Sequence, residues 1–112
     1  MEDRYLFKAK RLDNGEWVEW DAIAGIPENV SILADTICQC TGLKDKNGKL
    51  IWENDIVKIN NDKVNTLITF RDFEIICTIP NEKYYKHRLE YDTEYEVIGN
   101  IFDNPELLES EE

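Results

Sequence analysis

Two Asn-Gly pairs, Asn14-Gly15 and Asn47-Gly48, interrupt short runs of alternating or β-branched residues. An Asn-Gly pair between strand-like segments is the strongest short-range hairpin signal, because both residues tolerate the positive φ of a type I′ turn. Before the first pair, Arg4 to Lys10 alternates, with Tyr5, Phe7 and Ala9 on one face and Arg4, Lys8 and Lys10 on the other. That period of two marks a half-buried strand. Glu16 to Trp20 is its partner. Around the second pair, Lys44 to Lys49 is a polar tip that reverses the chain, and Leu50-Ile51-Trp52 returns as strand.

A second sharp break follows at Glu53-Asn54-Asp55, with Asn54 the residue expected to take left-handed φ and Asp55 expected to bond the turn amides. Asp55 to Ile59 resumes as strand and Asn60-Asn61-Asp62 closes it. Val64 to Phe70, a turn at Arg71-Asp72 and Phe73 to Ile79 read as another hairpin. Tyr95 to Ile101 is the last strand, and Gly99 inside it signals a bulge or a close backbone approach. Pro105 stops it; residues 105–112 are an acidic tail holding one helical turn at most.

The stretch from Asp21 to Cys40 is less regular. Gly25 to Asn29 is a loop. Val30-Ser31-Ile32 fits a short strand, and Ser31 to Thr36 fits a short helix with Ser31 as its cap and Asp35 in its first turn. Irregular structure, then a strand near Ile37 to Cys40, is the preferred reading. The sum is a single domain, residues 1–112, of the mainly β class. It holds six or more short antiparallel strands in a barrel-like or sandwich arrangement, with at most short helices.

Composition narrows the chemistry. The net charge is −11, from 13 basic and 24 acidic residues. Nucleic-acid affinity rests largely on Lys and Arg neutralising phosphates, so nucleic acid is an unlikely partner. Lys83 to Arg88 is the one basic, tyrosine-bearing run that a nucleic-acid-associated β module would use. Anionic membrane is disfavoured for the same reason, and no apolar run reaches the roughly 18 residues that span a bilayer. Met1 to Arg4 lacks the pattern of a signal peptide, so the expected location is cytoplasmic.

No catalytic, cofactor or metal residue is expected. Cys38 and Cys40 are one residue apart, too close for a zinc knuckle, and read as buried reduced thiols. Ser31 and Ser110 lie in no nucleophile elbow. Cys77 with His87, the only histidine, is the one conceivable thiol–imidazole pair, but the alternating strand explains Cys77 as core and places His87 at the surface. Glu53 and Asp55 flank a turn, which suits a structural role better than acid–base work. No glycine-rich phosphate cradle is present. Trp17 and Trp20 point to opposite faces of a strand, so one of them is a candidate for partner contact alongside Trp52.

Three blocks together resemble the YopX-like family of phage and prophage proteins. They are Tyr5 to Ala9 with Trp17-Val18; Cys40 to Lys49 continuing through Trp52 to Lys58; and Tyr95 to Ile101 with Asn104 to Leu108. One departure is Asn54, where the family usually carries glycine, a change that keeps left-handed φ accessible. The resemblance implies a small, mainly β protein encoded by a phage or prophage of low-GC Gram-positive bacteria, and it carries over no catalytic residue.

The expected function is therefore non-enzymatic protein binding to a host or phage protein. A sharper version is an acidic DNA mimic that inhibits a host factor. Short edge strands and exposed aromatics also leave room for a homo-oligomer.

Overall fold

The computed structural model describes residues 3–59, 65–71, 74–78, 87–88 and 94–108, and everything below concerns these residues. The first alternating run forms β1 (Leu6–Lys10), paired antiparallel with β2 (Trp17–Asp21) in the register Lys10 to Trp17 and Leu6 to Asp21. The turn is longer than a two-residue type I′ loop. Only Gly15 takes positive φ (72°), and its N–H donates to the Arg11 carbonyl while the Arg11 N–H donates to Glu16. Asn14 is instead an acceptor, its side-chain oxygen receiving the Glu16 N–H at 2.9 Å. Gly48 (φ 82°), not Asn47, likewise makes the second reversal.

That reversal joins β3 (Cys38–Lys44) to β4 (Leu50–Trp52). β5 (Asp55–Ile59), β6 (Asn65–Arg71), β7 (Glu74–Thr78), the two-residue β8 (His87–Arg88) and β9 (Tyr95–Asn100) follow. Arg71 belongs to β6 and pairs with Glu74, while Asp72, the other residue of the expected turn, lies outside the described residues. The segment before β3 is irregular as expected. It holds an isolated bridge from Ile32 to Arg11 and a 3-10 turn at Ala34–Thr36. Leu33, not Ser31, precedes that turn, and no side chain caps it.

The strands form two antiparallel sheets, ordered β2-β1-β3-β4 and β8-β7-β6-β5-β9. Of the two arrangements the patterning allowed, two sheets are the observed one, and the fold is mainly β. The chain passes between the sheets through the two residues Glu53 and Asn54. Asn54 sits at φ 71°, as the break required. Its N–H donates to the Ile68 carbonyl of β6 (2.7 Å) and its carbonyl accepts the Ile101 N–H (3.0 Å), so this turn is stitched into the second sheet.

β4 serves both sheets because a strand's side chains alternate. Ile51 packs with Val57, Ile68 and Tyr95 from the second sheet. Trp52 turns the other way and packs with Cys38 and Cys40, flanked by Leu6, Trp17, Leu50 and Phe102. Gly99 makes the bulge read from its position, and the atoms that crowd it are side-chain rather than backbone atoms. The β5–β9 register shifts between Ile56 and Val57 at this point, which makes a bulge. A Cβ on Gly99 would meet Asn104 Oδ1 at 2.6 Å and Leu107 Cδ1 at 2.9 Å. Gly99→Ala is therefore expected to destabilise by about 1–3 kcal/mol, the usual cost of overpacking. Denaturant unfolding of the variant measures this, and an unchanged midpoint would contradict the close approach.

Candidate functional site

The carboxylates of the Thr41–Ile59 stretch are occupied by backbone. Asp45 is buried; its Oδ1 accepts the Asn47 and Lys49 N–H groups, each at 2.9 Å, and its Oδ2 accepts the Val97 N–H at 3.0 Å. Burial alone would raise its pKa, but these three donors hold it below the ordinary value. Asp55, 3% exposed, accepts the Trp52 N–H at 2.8 Å. Here burial prevails and lifts the carboxyl from 3.8 to about 6, against the pull of the Trp52 N–H and of Lys8 and Lys49. Both residues are turn and strand fasteners, as their positions suggested.

The thiols are similarly placed. Cys38 and Cys40 are buried and unbridged, and burial pushes both thiol pKa values up, which disfavours the thiolate that nucleophilic chemistry needs. The β7–β8 register sets Cys77 opposite His87, while the side chains of both lie outside the described residues. Lys83 to Lys86 lie outside them too. Among the described residues no group of three or more His, Cys, Asp or Glu is placed to hold a metal ion. No described helix is long and apolar enough to cross a membrane.

The face of β1 that carries Lys8 and Lys10 departs from the expected solvated edge. Lys8 Nζ lies 4.6 Å from the Trp17 ring centroid and 4.8 Å from that of Trp52. Lys10 reaches past Trp17 to pair with Asp103, 93 residues along the chain. The Trp17 indole N–H also donates to Asp103, at 2.9 Å, and Phe102 meets the Trp17 ring edge-on at 5.9 Å. The Lys10 ammonium first and then the Trp17 indole bring Asp103 down to about 2. Lysine stems can cover apolar surface while their heads stay wet, so this face is packed against the residues after β9 rather than left to water. Trp20, on the opposite face, stacks on Phe7 with centroids 6.3 Å apart. The opposed orientation of the two tryptophans is thus as read from their spacing.

What sequence reading missed lies in the irregular stretch. Tyr5, Leu12, Ile23, Ile26, Leu33 and Ile37 are the exposed large apolar side chains among the described residues, and Ile23 is 84% exposed. All six fall within residues 5–37, at the first sheet. The backbone gathers them. The Ala22 N–H donates to Tyr5 at one end of β1, and the Leu12 N–H donates to Ser31 at the other. Residues 22–30 therefore return along the whole length of β1. Asp21 starts this course, its Oδ1 accepting the Ile23 and Ala24 N–H groups.

A sequence signal was available for this surface. From Leu12 to Ile37 there is no Lys, Arg or His, while Asp13, Glu16, Glu19, Asp21, Glu28 and Asp35 are all acidic. The exposed apolar residues and these acidic residues thus share one stretch of the chain.

Comparison with curated proteins yields no match. The family described as YopX protein matches residues 3–109, nearly the whole chain. The match takes in the Asp45 fastener, the Asn54 turn between the sheets and the Gly99 bulge. This chain belongs to the YopX protein family.

Proposed function

We propose that this is a phage- or prophage-encoded accessory protein that acts without catalysis, by binding another protein of the host cell or the phage. The observation that carries the reading is that, among the described residues, the exposed large apolar side chains fall within 5–37, in a stretch rich in acidic residues. Contiguous exposed apolar surface in a small domain marks an interaction site more often than a solvent face. The described buried carboxylates and thiols support it from the other side, because their lone pairs and protons are engaged in backbone bonds. The net charge of −11 favours a basic partner and repels nucleic acid and anionic lipid.

Affinity capture from lysate of a low-GC Gram-positive host tests the reading. Immobilised protein should retain a reproducible set of partners that an unrelated domain of matched charge does not. Retention no different from the control would sink it. If the partner is a DNA-binding protein and the acids mimic phosphates, retention should fall steeply with added salt. Retention unaffected by salt would exclude mimicry and leave apolar docking as the binding mode.

A further inference from the structure

We propose that β2 is an open sheet edge that takes up an extended segment of a partner protein as an added antiparallel strand, with Lys or Arg opposite Glu19 and apolar residues opposite Val18 and Trp20. The proposal rests on the protein-binding reading and assigns it a surface and a ligand chemistry. β2 ends the first sheet, with β1 as its neighbour among the described strands. The Arg11 N–H donates to the Glu16 carbonyl, and the Ala22 N–H donates to that of Tyr5. Both pairs continue the β1–β2 register, and in an antiparallel ladder the pairs that exchange bonds recur at every second residue. Val18 and Trp20 therefore bond to β1, while Trp17, Glu19 and Asp21 aim their N–H and C=O groups away from it. The Asp21 carbonyl accepts the Gly25 N–H. Among the described residues, no turn or side-chain bond takes up the N–H or C=O of Trp17 or Glu19, or the Asp21 N–H. A row of unpaired groups like this is a template for another strand.

The side chains select that strand. Trp17, Glu19 and Asp21 share one face of β2, and Val18 and Trp20 share the other. Glu19 is exposed at the centre of the strand. Its register partner, Lys8, carries its Nζ over the rings of Trp17 and Trp52 instead. Lys10 is paired with Asp103 and Arg11 with Asp13, so the cations nearest β2 are engaged elsewhere. Asp21 Oδ1 accepts the Ile23 and Ala24 N–H groups. Opposite charges across a strand pair stabilise it and like charges destabilise it, which places a cation opposite Glu19.

A second copy fits less well. Residues 16–21 hold three acidic residues and no basic one, so pairing two copies of β2 sets acid beside acid in one ladder. Charge of one sign guards the edge against its own copy, yet attracts a basic strand.

Hydrogen exchange in the dilute free chain gives the first reading. The Trp17 and Glu19 amides should exchange fast, and those of Val18 and Trp20 slowly. Slow exchange at Trp17 and Glu19 would show a covered edge and overturn the proposal. The second reading is a nuclear magnetic resonance titration with a capped peptide of about seven residues, alternating Lys and Val, the length of an ordinary strand. Binding should slow exchange at Trp17 and Glu19. Methylating the Lys amide nitrogens, which face β2 when Lys stands opposite Glu19, should weaken binding at least roughly tenfold, because donors and close approach are lost together. Methylating the Val nitrogens, which face away, should leave binding nearly unchanged. Glu19→Gln should keep the wild-type thermal midpoint and bind the Lys/Val peptide severalfold more weakly. Equal losses from the two methylations, equal binding of a Glu/Val peptide, or unchanged affinity in Glu19→Gln would each overturn the proposal. So would a dimer, seen by light scattering, that the Lys/Val peptide dissociates. Affinity capture with excess Lys/Val peptide separates the two readings. A retained set that the peptide does not displace removes this edge but leaves protein binding standing, whereas no specific retention with or without peptide removes the function itself.

Discussion

Asp45→Ala is expected to lower stability by about 3 kcal/mol, because it strips an acceptor from three backbone N–H groups at once. In a domain of this size that corresponds to a fall of roughly 12 °C in thermal midpoint. Two of the donors, Asn47 and Lys49, belong to the exposed tip of the β3–β4 hairpin and can turn to water. The third, Val97, lies in β9 of the other sheet and is partly buried. The adjacent Lys46 N–H donates to the Tyr95 carbonyl, so the hairpin tip is tied to β9 at two places. Asp45→Asn retains one carbonyl oxygen and replaces the other by an NH2 group, which cannot accept. It is expected to fall between the wild type and Asp45→Ala.

Hydrogen exchange gives the decisive reading. The Val97 amide should exchange faster in Asp45→Ala than in the wild type, relative to amides in the centre of β6. Unchanged protection of Val97 would show that the carboxylate does not link the sheets. The pKa sign is consistent with this role. A folded-state value held below the ordinary one contributes stability that is present above the ordinary pKa and lost as pH falls through the lowered value.

Asp55→Asn should do the opposite and stabilise the protein at neutral pH. Burial raises the Asp55 carboxyl from 3.8 to about 6. Between those values the folded chain holds a proton that the unfolded chain has released, so stability falls as pH rises from about 4 to about 6. Above that window the fold carries a buried carboxylate, at a cost of roughly 3 kcal/mol. Asparagine keeps an oxygen for the Trp52 N–H and carries no charge. The variant is therefore expected to match the wild type near pH 4 and to exceed it at pH 7 by up to roughly 3 kcal/mol.

Denaturant unfolding at a series of pH values measures the difference. A variant equally destabilised at pH 4 and pH 7 would refute the burial cost. The Asp45 and Asp103 carboxyls do not obscure the window, because both titrate below the ordinary value and act only in more acidic solution. Asp55→Ala separates charge from hydrogen bonding. It removes the buried charge but leaves the Trp52 N–H without its acceptor, so its gain at pH 7 should be smaller than that of Asp55→Asn.

These two aspartates lie ten residues apart in the most recognisable stretch of the sequence, and their titrations move in opposite directions. Spacing identifies both as turn residues, since Asp45 precedes the Asn-Gly reversal and Asp55 closes the Asn54 break. Their divergence depends on which other strands arrive beside them. Among the described residues, three N–H donors reach Asp45, one of them from residue 97, while Asp55 receives the local Trp52 amide. No local pattern contains that information.

The same division runs through the whole molecule. Period-two alternation, the two glycine reversals, left-handed Asn54 and the Gly99 bulge are set by backbone sterics over a few residues, so they are legible in the chain itself. The family core could be recognised for that reason. The turn type was not legible, because the hydrogen bonds of Arg11 and Asn14 compete with the two-residue form and win. Nor was the packing of Lys8 and Lys10, whose partners Trp52 and Asp103 come from distant segments. The exposed isoleucines are a further case: Ile23, Ile26 and Ile37 look like core by composition, and only the folded chain shows them exposed. Local rules specify the strands and turns; which apolar residues remain uncovered depends on how much area the assembled sheets have left to bury.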